Sequence, residues 1–512
     1  MSASPETSTR HPALSRQAPD SMYIGGKWVG AQGGATFEVL CPSTGETLAR
    51  LPEAGQADVD AAVAAARRAY ENGWADTSPR ERADILFELA DRLSRDRERL
   101  TMIDVVDNGS TIGKMRGGLA LGVEMLRMFA GFIPTLSGRT IPLDSGSFNY
   151  TIREPWGVVG VIVPFNHPVQ FAAQIIGSAL GAGNTMLFKP SELTSLSTLE
   201  VAAAAADLLP PGVLNVITGS GTAGAAIAGH PDIDKIHFKG SLPTGRAVLA
   251  AGAKFIRPVS LEMGGKNPMV VYPDSDVDKA VKGAVDGMNF VHQGQSCGSC
   301  SRVFVHQDIY EEFRAKLVEK VEALRPGMPW DETAQMGSIV SRTQYDRVLG
   351  YIEGARAAGV TMLTGGGPFD DPELKDGFFL RPTVFESPDH DLPLVQDEIF
   401  GPVMCLFSWT DEKEVFRLAN DTVYGLTASV WTNDLNTALN AVRRLKAGLV
   451  WVNNHQRRPA VTPFGGYKQS GLGAERYTDE LLTYSQEKSV LMTLDASRRM
   501  DPFVLNRVDG TA

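Results

Sequence analysis

The chain has 512 residues, of which 43% are apolar and 21% are charged, and its formal net charge is −11. This length exceeds what one ordinary hydrophobic core can serve, so we expect at least two domains. The acidic balance argues against a nucleic-acid surface, because phosphate binding needs clustered Lys and Arg, and here the basic residues are scattered among acids. We therefore expect small-molecule partners.

The chain also shows no sign of export or of a membrane anchor. Residues 1–20 are rich in Ser, Thr and Pro and lack the apolar centre of a signal peptide, so they predict a disordered tail. No uninterrupted run of about 18 apolar residues occurs, which argues against a membrane span and predicts a soluble protein. Four cysteines do not make a disulfide framework in a chain of this length. The cytoplasm is the expected location.

The predicted elements alternate between helices and short buried strands. The first clear helix begins at Ser78-Pro79, a good N-cap and first-turn pair, and its apolar side chains then fall on one face. Apolar runs bounded by Gly or Pro predict strands at 157–164, 185–190, 214–219, 235–240, 268–272 and 301–306. Helix-length segments such as 195–208 and 276–290 separate these runs. The alternation predicts an α/β fold with largely parallel sheets.

Two glycine-rich segments follow predicted strands. Gly219, Gly221 and Gly224 in GSGTAG have the spacing G-x-G-x-x-G of a dinucleotide-binding turn. No Asp or Glu ends a second strand about 20 residues further on, so this motif alone is a weak signal. Gly240 and Gly245 in FKGSLPTG occupy a similar place before a predicted helix. The N-terminus of that helix could hold an anion equally well.

The segment FVHQGQSCGSCSR carries Cys297 and Cys300 in the spacing C-x-x-C. This spacing is typical of half a zinc site, of a redox dithiol, or of one nucleophile beside an unrelated cysteine. The other cysteines, Cys41 and Cys405, are isolated and have no partner motif, which argues against a metal site. The spacing by itself does not decide between the two remaining alternatives.

Seven sequence blocks, in order, resemble those of the NAD(P)-dependent aldehyde dehydrogenase superfamily, over residues 22–496. The blocks are PFNHP (164–168), GNTMLFKPSE (183–192), FKGS (238–241), LEMGGKNP (261–268), GQSC (294–297), EIFGPV (398–403) and PFGGYKQSG (463–471). The resemblance implies a Rossmann-like cofactor domain, an α/β catalytic domain and a small β hairpin for oligomerisation. The expected boundaries are a disordered tail at 1–20, a cofactor-binding domain at 21–137 and 157–263, oligomerisation strands at 138–156 and 480–496, a catalytic domain at 264–479 and a C-terminal tail at 497–512. A homodimer or homotetramer is implied, because the oligomerisation strands would otherwise leave open sheet edges.

The resemblance assigns the chemistry to three residues. Cys297 matches the nucleophile that forms a thioester, and Cys300 is then a bystander or a partner in a regulatory disulfide. Asn166 matches the amide that stabilises the oxyanion, and Glu262 matches the general base that activates water. Relatives that pass the acyl group to coenzyme A generally lack this Glu, so hydrolysis to a free acid is favoured. The interval from Glu262 to Cys297, 35 residues, is one longer than the resemblance leads us to expect.

The same resemblance implies a nicotinamide cofactor and the residues that hold it. Lys189 and Glu192 fall where the family contacts the adenosine ribose, and a carboxylate at Glu192 favours NAD because it repels a 2′-phosphate. Gly240 and Ser241 fall at the helix N-terminus already noted. Lys239 stands where the family commonly has Thr. Its side chain faces either the cofactor or solvent, and the first alternative keeps NADP open.

The remaining implied site residues lie in the second half of the chain. Glu398 resembles the residue that binds the nicotinamide ribose, with Phe400 beside it, and Phe464 resembles an aromatic residue of the substrate tunnel. Arg457 and Arg458 fall in the loop that meets the far end of the substrate. We hypothesise that one of them binds a carboxylate, which predicts a semialdehyde or another polar aldehyde as substrate.

Two other functions remain open at this point. A coenzyme A-acylating aldehyde dehydrogenase would share most of these blocks. A non-catalytic relative that acts as a binding or structural protein would share the fold, although the presence of Cys297, Glu262 and Asn166 speaks against it.

Overall fold

The computed structural model describes residues 20–143 and 146–494, so the tails expected at 1–20 and 497–512 lie outside the described residues except for Asp20. In chain order the strands are β1 (Met22–Ile24), β2 (Lys27–Val29), β3 (Thr36–Leu40), β4 (Thr47–Pro52), β5 (Thr140–Ile141), β6 (Ser147–Pro155), β7 (Val158–Ile162), β8 (Thr185–Lys189), β9 (Leu214–Val216), β10 (Lys235–Gly240), β11 (Val259–Met263), β12 (Pro268–Val271), β13 (Arg302–His306), β14 (Thr361–Thr364), β15 (Thr383–Glu386), β16 (Val403–Trp409), β17 (Thr427–Trp431), β18 (Leu449–Val452), β19 (Gly471–Leu472) and β20 (Ser485–Thr493). The helices are α1 (Gln56–Ala69), α2 (Pro79–Arg95), α3 (Arg97–Asn108), α4 (Ile112–Phe132), α5 (Pro168–Gly181), α6 (Leu196–Ala205), α7 (Gly221–Gly229), α8 (Leu242–Ala253), α9 (Val277–Met288), α10 (Gln307–Glu322), α11 (Arg342–Ala357), α12 (Pro393–Gln396), α13 (Glu412–Asn420), α14 (Leu435–Arg444) and α15 (Tyr477–Thr483).

The first sheet confirms the predicted α/β architecture. Its strand order is β19-β11-β10-β7-β8-β9-β1-β2. The strands from β7 to β11 are mutually parallel, whereas β1, β2 and β19 pair antiparallel at the two sides. The four strands predicted between residues 157 and 240 are confirmed as β7, β8, β9 and β10.

Helices cover both faces of this sheet, which explains why its strand β7 is apolar throughout. Val159 and Val161 of β7 pack on one side, in a core formed with α2, α4, α5 and α6. Val158 and Ile162 pack on the other side, with residues of α1, α7 and α8. All residues of β7, β8 and α5 are buried. A strand buried on both faces loses the polar alternation of a half-exposed strand, as the sequence showed.

The chain order of the first sheet reverses at β7, which lies between β8 and β10. In open α/β sheets a crevice forms at such a switch point, outside the carboxyl ends of the strands, and ligands bind there. Pro164 and Phe165 follow β7, and Ser241 follows β10. The fold therefore places the PFNHP and FKGS segments at this crevice.

The second sheet has the order β14-β15-β16-β13-β12-β17-β18. All its neighbouring strands are parallel except β14 and β15. The strands predicted at 268–272 and 301–306 are confirmed as β12 and β13, and the loop with Cys297 connects α9 to β13. This loop lies between the second sheet and the carboxyl ends of the strands of the first sheet.

The predicted helix positions agree with the structure. Ser78 Oγ accepts a hydrogen bond from the backbone N–H of Glu81, and the Glu81 carboxylate accepts one from the backbone N–H of Ser78. This reciprocal capping fixes the start of α2. The segments 195–208 and 276–290 contain α6 and α9.

A third sheet, β20-β6-β5, joins two segments that are far apart in sequence. Ser147–Pro155 pairs antiparallel with Ser485–Thr493 over the full length of both strands. These strands lie within the segments 138–156 and 480–496 that were predicted to serve oligomerisation. The segment 480–496 begins earlier, however, inside helix α15, and its last two residues lie outside the described residues.

Helix α4 is more apolar than inspection of the sequence suggested. Within the described parts of the chain, one segment, Ile112–Thr135, is long and apolar enough by length and composition to cross a membrane. Leu126 and Phe129 of this helix are completely buried in the core that also contains α5. Core helices of water-soluble domains meet the same length and hydropathy criterion, so a single such segment is weak support for a membrane span.

Candidate active site

Two cavities of about 120 Å³ each meet inside the protein. The first, here called the switch-point cavity, lies at the carboxyl ends of β7, β10 and β11. The second, here called the cationic cavity, lies between α4, α5 and the loops after β18 and β19. Phe171, Glu262 and Cys297 line both cavities. These three residues therefore stand where the two cavities join.

The loop that carries Cys297 is held by a tight backbone and by one amide. Asn289, Gln293 and Gly294 have positive φ angles of 59°, 52° and 67°, so the chain turns sharply after α9. Asn267 Nδ2 donates hydrogen bonds to the carbonyl oxygens of Cys297, at 2.8 Å, and of Ser299, at 2.9 Å. These two bonds fix the loop against the start of β12.

The two cysteines of the C-x-x-C motif have different surroundings. The Cys297 side chain is partly exposed and borders both cavities. Cys300 is completely buried in the core of the second sheet, among Met269, Val303 and other apolar residues. Burial raises the pKa of Cys300. Cys300 thus behaves as a small buried apolar residue rather than as a partner of Cys297.

The Cys297 thiol and the Glu262 carboxylate line the same two cavities, and each influences the pKa of the other. Burial, and next the Glu262 charge, raise the pKa of Cys297 above its usual value, so the proton rests on sulfur. Burial also raises the pKa of Glu262 to about 7, although the nearby Lys239 opposes this shift. A carboxylate with a pKa near neutral pH is suited to act as a general base.

Lys239 occupies neither of the two places considered from the sequence. Alternation along β10 points its side chain away from Phe238 and Gly240, into the wall of the cationic cavity. It is buried, pairs in register with Glu262 of β11, and donates a hydrogen bond to Glu475. Burial opposes the charge of Lys239, but Glu475 and Glu262 outweigh it and raise the pKa of Lys239. Lys239 therefore gives no reason to expect NADP.

The ion pair of Lys239 and Glu475 continues into a buried polar network. Gln174 Nε2 donates to Glu475 at 3.3 Å and to Glu480 at 2.9 Å, and Ser178 Oγ donates to Glu480 at 2.7 Å. Burial disfavours the charge of Glu475, but Lys239 and His237 outweigh it and lower the pKa of Glu475. Burial and the Glu475 charge raise the pKa of Glu480 to about 7.

Asn166 lies next to Cys297 in the switch-point cavity. Its Nδ2 donates a hydrogen bond to the carbonyl oxygen of Gln295 at 3.1 Å, and its Oδ1 has no hydrogen-bond partner among the described residues. One N–H of the amide is therefore held by the Cys297 loop, and the second N–H remains for another acceptor. This placement agrees with the role that the resemblance implies.

Four of the residues predicted to bind a cofactor line the switch-point cavity: Gly240, Ser241, Glu398 and Phe400. Glu398 Oε1 accepts a hydrogen bond from the backbone N–H of Gly265 at 3.1 Å. Burial, mainly, raises the pKa of Glu398 to about 7. Phe400 has a positive φ of 59° and meets Phe165 edge to face at 5.6 Å.

Lys189 and Glu192 lie beside this cavity, at the carboxyl end of β8. Lys189 is buried, and its Nζ lies 3.6 Å from a carboxylate oxygen of Glu192 and 3.0 Å from the carbonyl oxygen of Pro190. The Glu192 side chain is 43% exposed, so its carboxylate is accessible to a ligand. Because β8 neighbours β7, these residues extend the crevice rather than the cavity itself.

The GSGTAG segment is not a free anion site. The Glu53 carboxylate accepts hydrogen bonds from the backbone N–H of Ser220 at 2.9 Å and from Ser220 Oγ at 2.7 Å. The N-terminus of α7 thus already holds an anionic group of the protein. At the start of α8, in contrast, the Ser241 side chain makes no capping hydrogen bond to the helix backbone. Of the two glycine-rich segments, FKGSLPTG is therefore the better place for an external anion.

The two arginines of the predicted substrate loop have different surroundings in the structure. Arg458 lines the cationic cavity, and its guanidinium lies 5.4 Å from the ring centre of Phe464. Arg457 is exposed and does not line either cavity. Phe464 is buried and lines the cationic cavity, as expected for a tunnel residue. His167 and Gln174 also line this cavity.

Three charged residues of the cationic cavity were not found from the sequence: Lys114, Glu475 and Arg476. Lys114 lies near the start of α4, where a charged residue in a helix reads as an ordinary exposed position. Glu475 and Arg476 follow the last block of the resemblance, after PFGGYKQSG. The available signal was a charged pair in a short loop between two predicted elements, which is too common to indicate a site.

The comparisons with known proteins agree with this geometry. The sequence model described as the aldehyde dehydrogenase family matches residues 28–490. The aldehyde dehydrogenase tropH of Talaromyces stipitatus is 38% identical over 489 residues, which are 94% of this chain and 94% of that protein. An NAD+ complex of aldehyde dehydrogenase from Bacillus cereus is similar with a TM-score of 0.90 and 40% identity, covering 93% of this chain and 96% of that chain. Betaine aldehyde dehydrogenase from Staphylococcus aureus, in complex with NAD+, gives a TM-score of 0.91 at 32% identity, covering 93% of this chain and 95% of that chain. This chain belongs to the aldehyde dehydrogenase family.

Proposed function

We propose that the protein oxidises an aldehyde to the free carboxylic acid with NAD, through a thioester on Cys297. The observation that supports this proposal is the convergence of the Cys297 thiol, the Glu262 carboxylate and the Asn166 amide where the two cavities join. A nucleophile, a base and an oxyanion donor are the groups that acyl transfer through a thioester requires.

The residues of the chain divide the reaction between them. The Cys297 thiol first loses its proton to solvent water. The resulting thiolate adds to the carbonyl carbon, and the carbonyl electron pair moves to oxygen. The Asn166 amide and the Cys297 backbone N–H donate hydrogen bonds to that oxygen. NAD held at the switch point would supply the hydride acceptor, and loss of a hydride would convert this adduct to a thioester. Glu262 then takes a proton from water, the water oxygen attacks the thioester carbon, and the thiolate leaves.

The residues at the switch point fit a dinucleotide without a 2′-phosphate. The N-terminus of α8 lies beside the cavity, and its uncapped N–H groups suit a pyrophosphate. The carboxylates of Glu398 and of Glu192, the latter 43% exposed, are acceptors for ribose hydroxyls. Glu53 adds a second negative charge near Lys189. Two carboxylates at this position would repel a 2′-phosphate, so we assign NAD rather than NADP.

The test is aldehyde-dependent formation of NADH by the wild type and by two matched variants. Cys297→Ser should abolish oxidation, whereas Cys300→Ser should retain most of it, because Cys300 only packs in the core. Equal loss in both variants would restore the dithiol interpretation. Activity in neither the wild type nor Cys300→Ser, over a panel of aldehydes and both cofactors, would favour the non-catalytic relative.

A second experiment addresses the alternative acyl acceptor. Glu262 lies against the Cys297 thiol, where it can deprotonate water, so added coenzyme A should leave both the rate and the free-acid product unchanged. Replacement of the acid by an acyl-coenzyme A product would contradict hydrolysis. Glu262→Gln provides the control, since it should accumulate the acylated enzyme.

We also propose that residues 21–137 with 157–263 form the cofactor domain, that 264–479 form the catalytic domain, and that the third sheet joins subunits of a homodimer or homotetramer. Strand β20 leaves most of its residues exposed, and Leu491 is 66% exposed. Exposed apolar residues on a long edge strand support association rather than a free edge. Analytical ultracentrifugation should show an oligomer for the wild type. The Leu491→Asp variant should dissociate to monomers more readily. A monomeric wild type would contradict this.

For the location we propose the cytoplasm. All four cysteines are free, and Cys41, Cys300 and Cys405 are buried, which suits a reducing compartment. Fractionation of cells that express the chain should recover it in the soluble cytoplasmic fraction, and recovery with membranes would contradict the proposal.

A further inference from the structure

The cationic cavity contains three positive side chains that come from three separate elements. Lys114 belongs to α4, Arg458 to the loop after β18, and Arg476 to the turn before α15. Their side chains bond only neutral oxygens: Lys114 Nζ to Asn289 Oδ1 at 3.3 Å, Arg458 Nη2 to Gln456 Oε1 at 2.6 Å, and Arg476 Nη1 to the carbonyl oxygen of Arg458 at 3.3 Å. Among the residues that the structure describes, no carboxylate lies within 4.0 Å of any of the three.

These cations are costly in the absence of an anion. Arg476 is only 5% exposed, and its Nε has no acceptor within the described part of the chain. Burial, followed by the charge of Arg458, lowers the pKa of Lys114 to about 8 and that of Arg476 to about 10. Buried charges in proteins are normally paired. The missing partner is therefore a ligand.

The other charges of the cavity show where that ligand's anionic end must lie. Lys239 already has the carboxylate of Glu475, so this pair adds little net charge. Glu262 is a carboxylate beside Cys297, where an anion would be repelled. The positive charge that remains belongs to Lys114, Arg458 and Arg476. An aldehyde with a distant negative group would thus have its carbonyl at Cys297 and its anionic end among these three.

We infer that the substrate is a short aldehyde whose far end carries a carboxylate, held by Lys114, Arg458 and Arg476. This inference rests on the proposed function, since it needs Cys297 as the nucleophile. The guanidinium groups of Arg458 and Arg476 lie 5.4 and 5.5 Å from the ring centre of Phe464, which restricts their orientation. Oriented guanidinium groups bind planar carboxylates through paired hydrogen bonds. The cavity, of about 120 Å³, suits a chain of few carbons.

The test compares 4-oxobutanoate with its methyl ester, two aldehydes of similar shape that differ in one charge. The wild type should prefer the acid by at least about tenfold in kcat/KM. Arg458→Gln should remove most of this preference, because it should raise KM for the acid far more than KM for the ester. Lys114→Gln should act in the same direction. Arg457→Gln is the matched control, because this neighbouring arginine lies outside the cavity, and it should keep the wild-type preference.

A second measurement does not depend on turnover. Succinate should slow alkylation of Cys297 by iodoacetamide in the wild type and in Arg457→Gln, but not in Arg458→Gln. Equal kcat/KM for acid and ester in the wild type, or equal losses in Arg457→Gln and Arg458→Gln, would overturn the inference. Oxidation of the ester without a preference for the acid would refute only the carboxylate site. Failure to oxidise any aldehyde, together with protection by succinate, would instead refute the proposed reaction and leave the anion site supported.

Discussion

Replacing Lys239 by Met should raise the pKa of Glu262 and move thioester hydrolysis to higher pH. Burial raises the pKa of Glu262 to about 7, and Lys239 is the largest influence in the opposite direction. Glu262 acts as a base only when deprotonated, so the rate of hydrolysis should rise with pH through its pKa and level off above it. Without the cation, this rise occurs at higher pH.

The size of this change in the pKa of Glu262 follows from the register of the first sheet. Lys239 and Glu262 are partners on two parallel strands, and neighbouring strands lie about 4.8 Å apart. Two unit charges about 5 Å apart interact by about 3 kcal/mol at an effective dielectric constant of about 20, which corresponds to about 2 pKa units. We expect an increase of about 1 to 2 units, because the side chains can separate further than the backbones. Near neutral pH the deprotonated fraction of Glu262 then falls about 5- to 50-fold.

Replacing Glu475 should shift the pKa of Glu262 in the opposite direction. Its charge raises the pKa of Glu262, so Glu475→Gln should lower that pKa and move hydrolysis to lower pH. The double variant Lys239→Met/Glu475→Gln removes both influences. In the double variant, hydrolysis should rise with pH at a value between those of the two single variants. That value should be slightly higher than in the wild type, because Lys239 affects the pKa of Glu262 more than Glu475 does.

The assay is hydrolysis of p-nitrophenyl acetate, which needs no cofactor. The initial burst reports acylation of Cys297, and the steady-state rate reports hydrolysis of the acyl enzyme, so the pH profile of the second phase follows Glu262. Thermal unfolding is the control, because loss of one member of a buried ion pair destabilises proteins by about 3–5 kcal/mol, whereas loss of both costs less. Profiles of Lys239→Met and Glu475→Gln that move in the same direction, in folded protein, would refute the electrostatic reasoning.

Three further predictions concern the switch-point cavity. Asn166→Ala should lower kcat about 10²- to 10³-fold with little change in thermal stability, because it removes an oxyanion donor; an unchanged kcat would exclude that role. Glu192→Gln should narrow the preference for NAD over NADP by improving kcat/KM for NADP, and an unchanged cofactor ratio would contradict the placement of Glu192 at the ribose. Gly264→Ala should raise KM for NAD more than KM for the aldehyde, since an added Cβ would collide with the Glu398 carboxylate; equal effects on both KM values would oppose this.

Much of the fold could be predicted from local patterns. Strand β7 is apolar throughout because helices cover both of its faces, and this produces a short run that Gly and Pro delimit. The cap at Ser78 was visible because capping depends on residues three positions apart. The C-x-x-C spacing alone did not separate Cys297 from Cys300, since it does not state which side chain faces a cavity and which faces the core of the second sheet. Only the resemblance to the family assigned them different roles.

Arg458 and Phe464 of the cationic cavity were expected at the substrate from the resemblance. Lys114, Glu475 and Arg476 could not be predicted, because the tertiary fold alone brings them to this cavity. Lys239 and Glu475 are 236 positions apart in the sequence. They meet because β19 pairs with β11, which places the turn after β19 beside β11 and its neighbour β10.

The meeting of Lys239 and Glu475 affects how charge is distributed around the cationic cavity. Glu475 neutralises Lys239, so Glu262 remains a base of near-neutral pKa rather than a permanently charged partner of a lysine. The next residue, Arg476, lines the same cavity and carries a positive charge. An anionic aldehyde whose carboxylate approached Glu262 would meet repulsion, whereas a carboxylate near Lys114, Arg458 and Arg476 would be attracted. If the proposed function holds, this arrangement of charges would orient an anionic aldehyde before any bond to Cys297 forms.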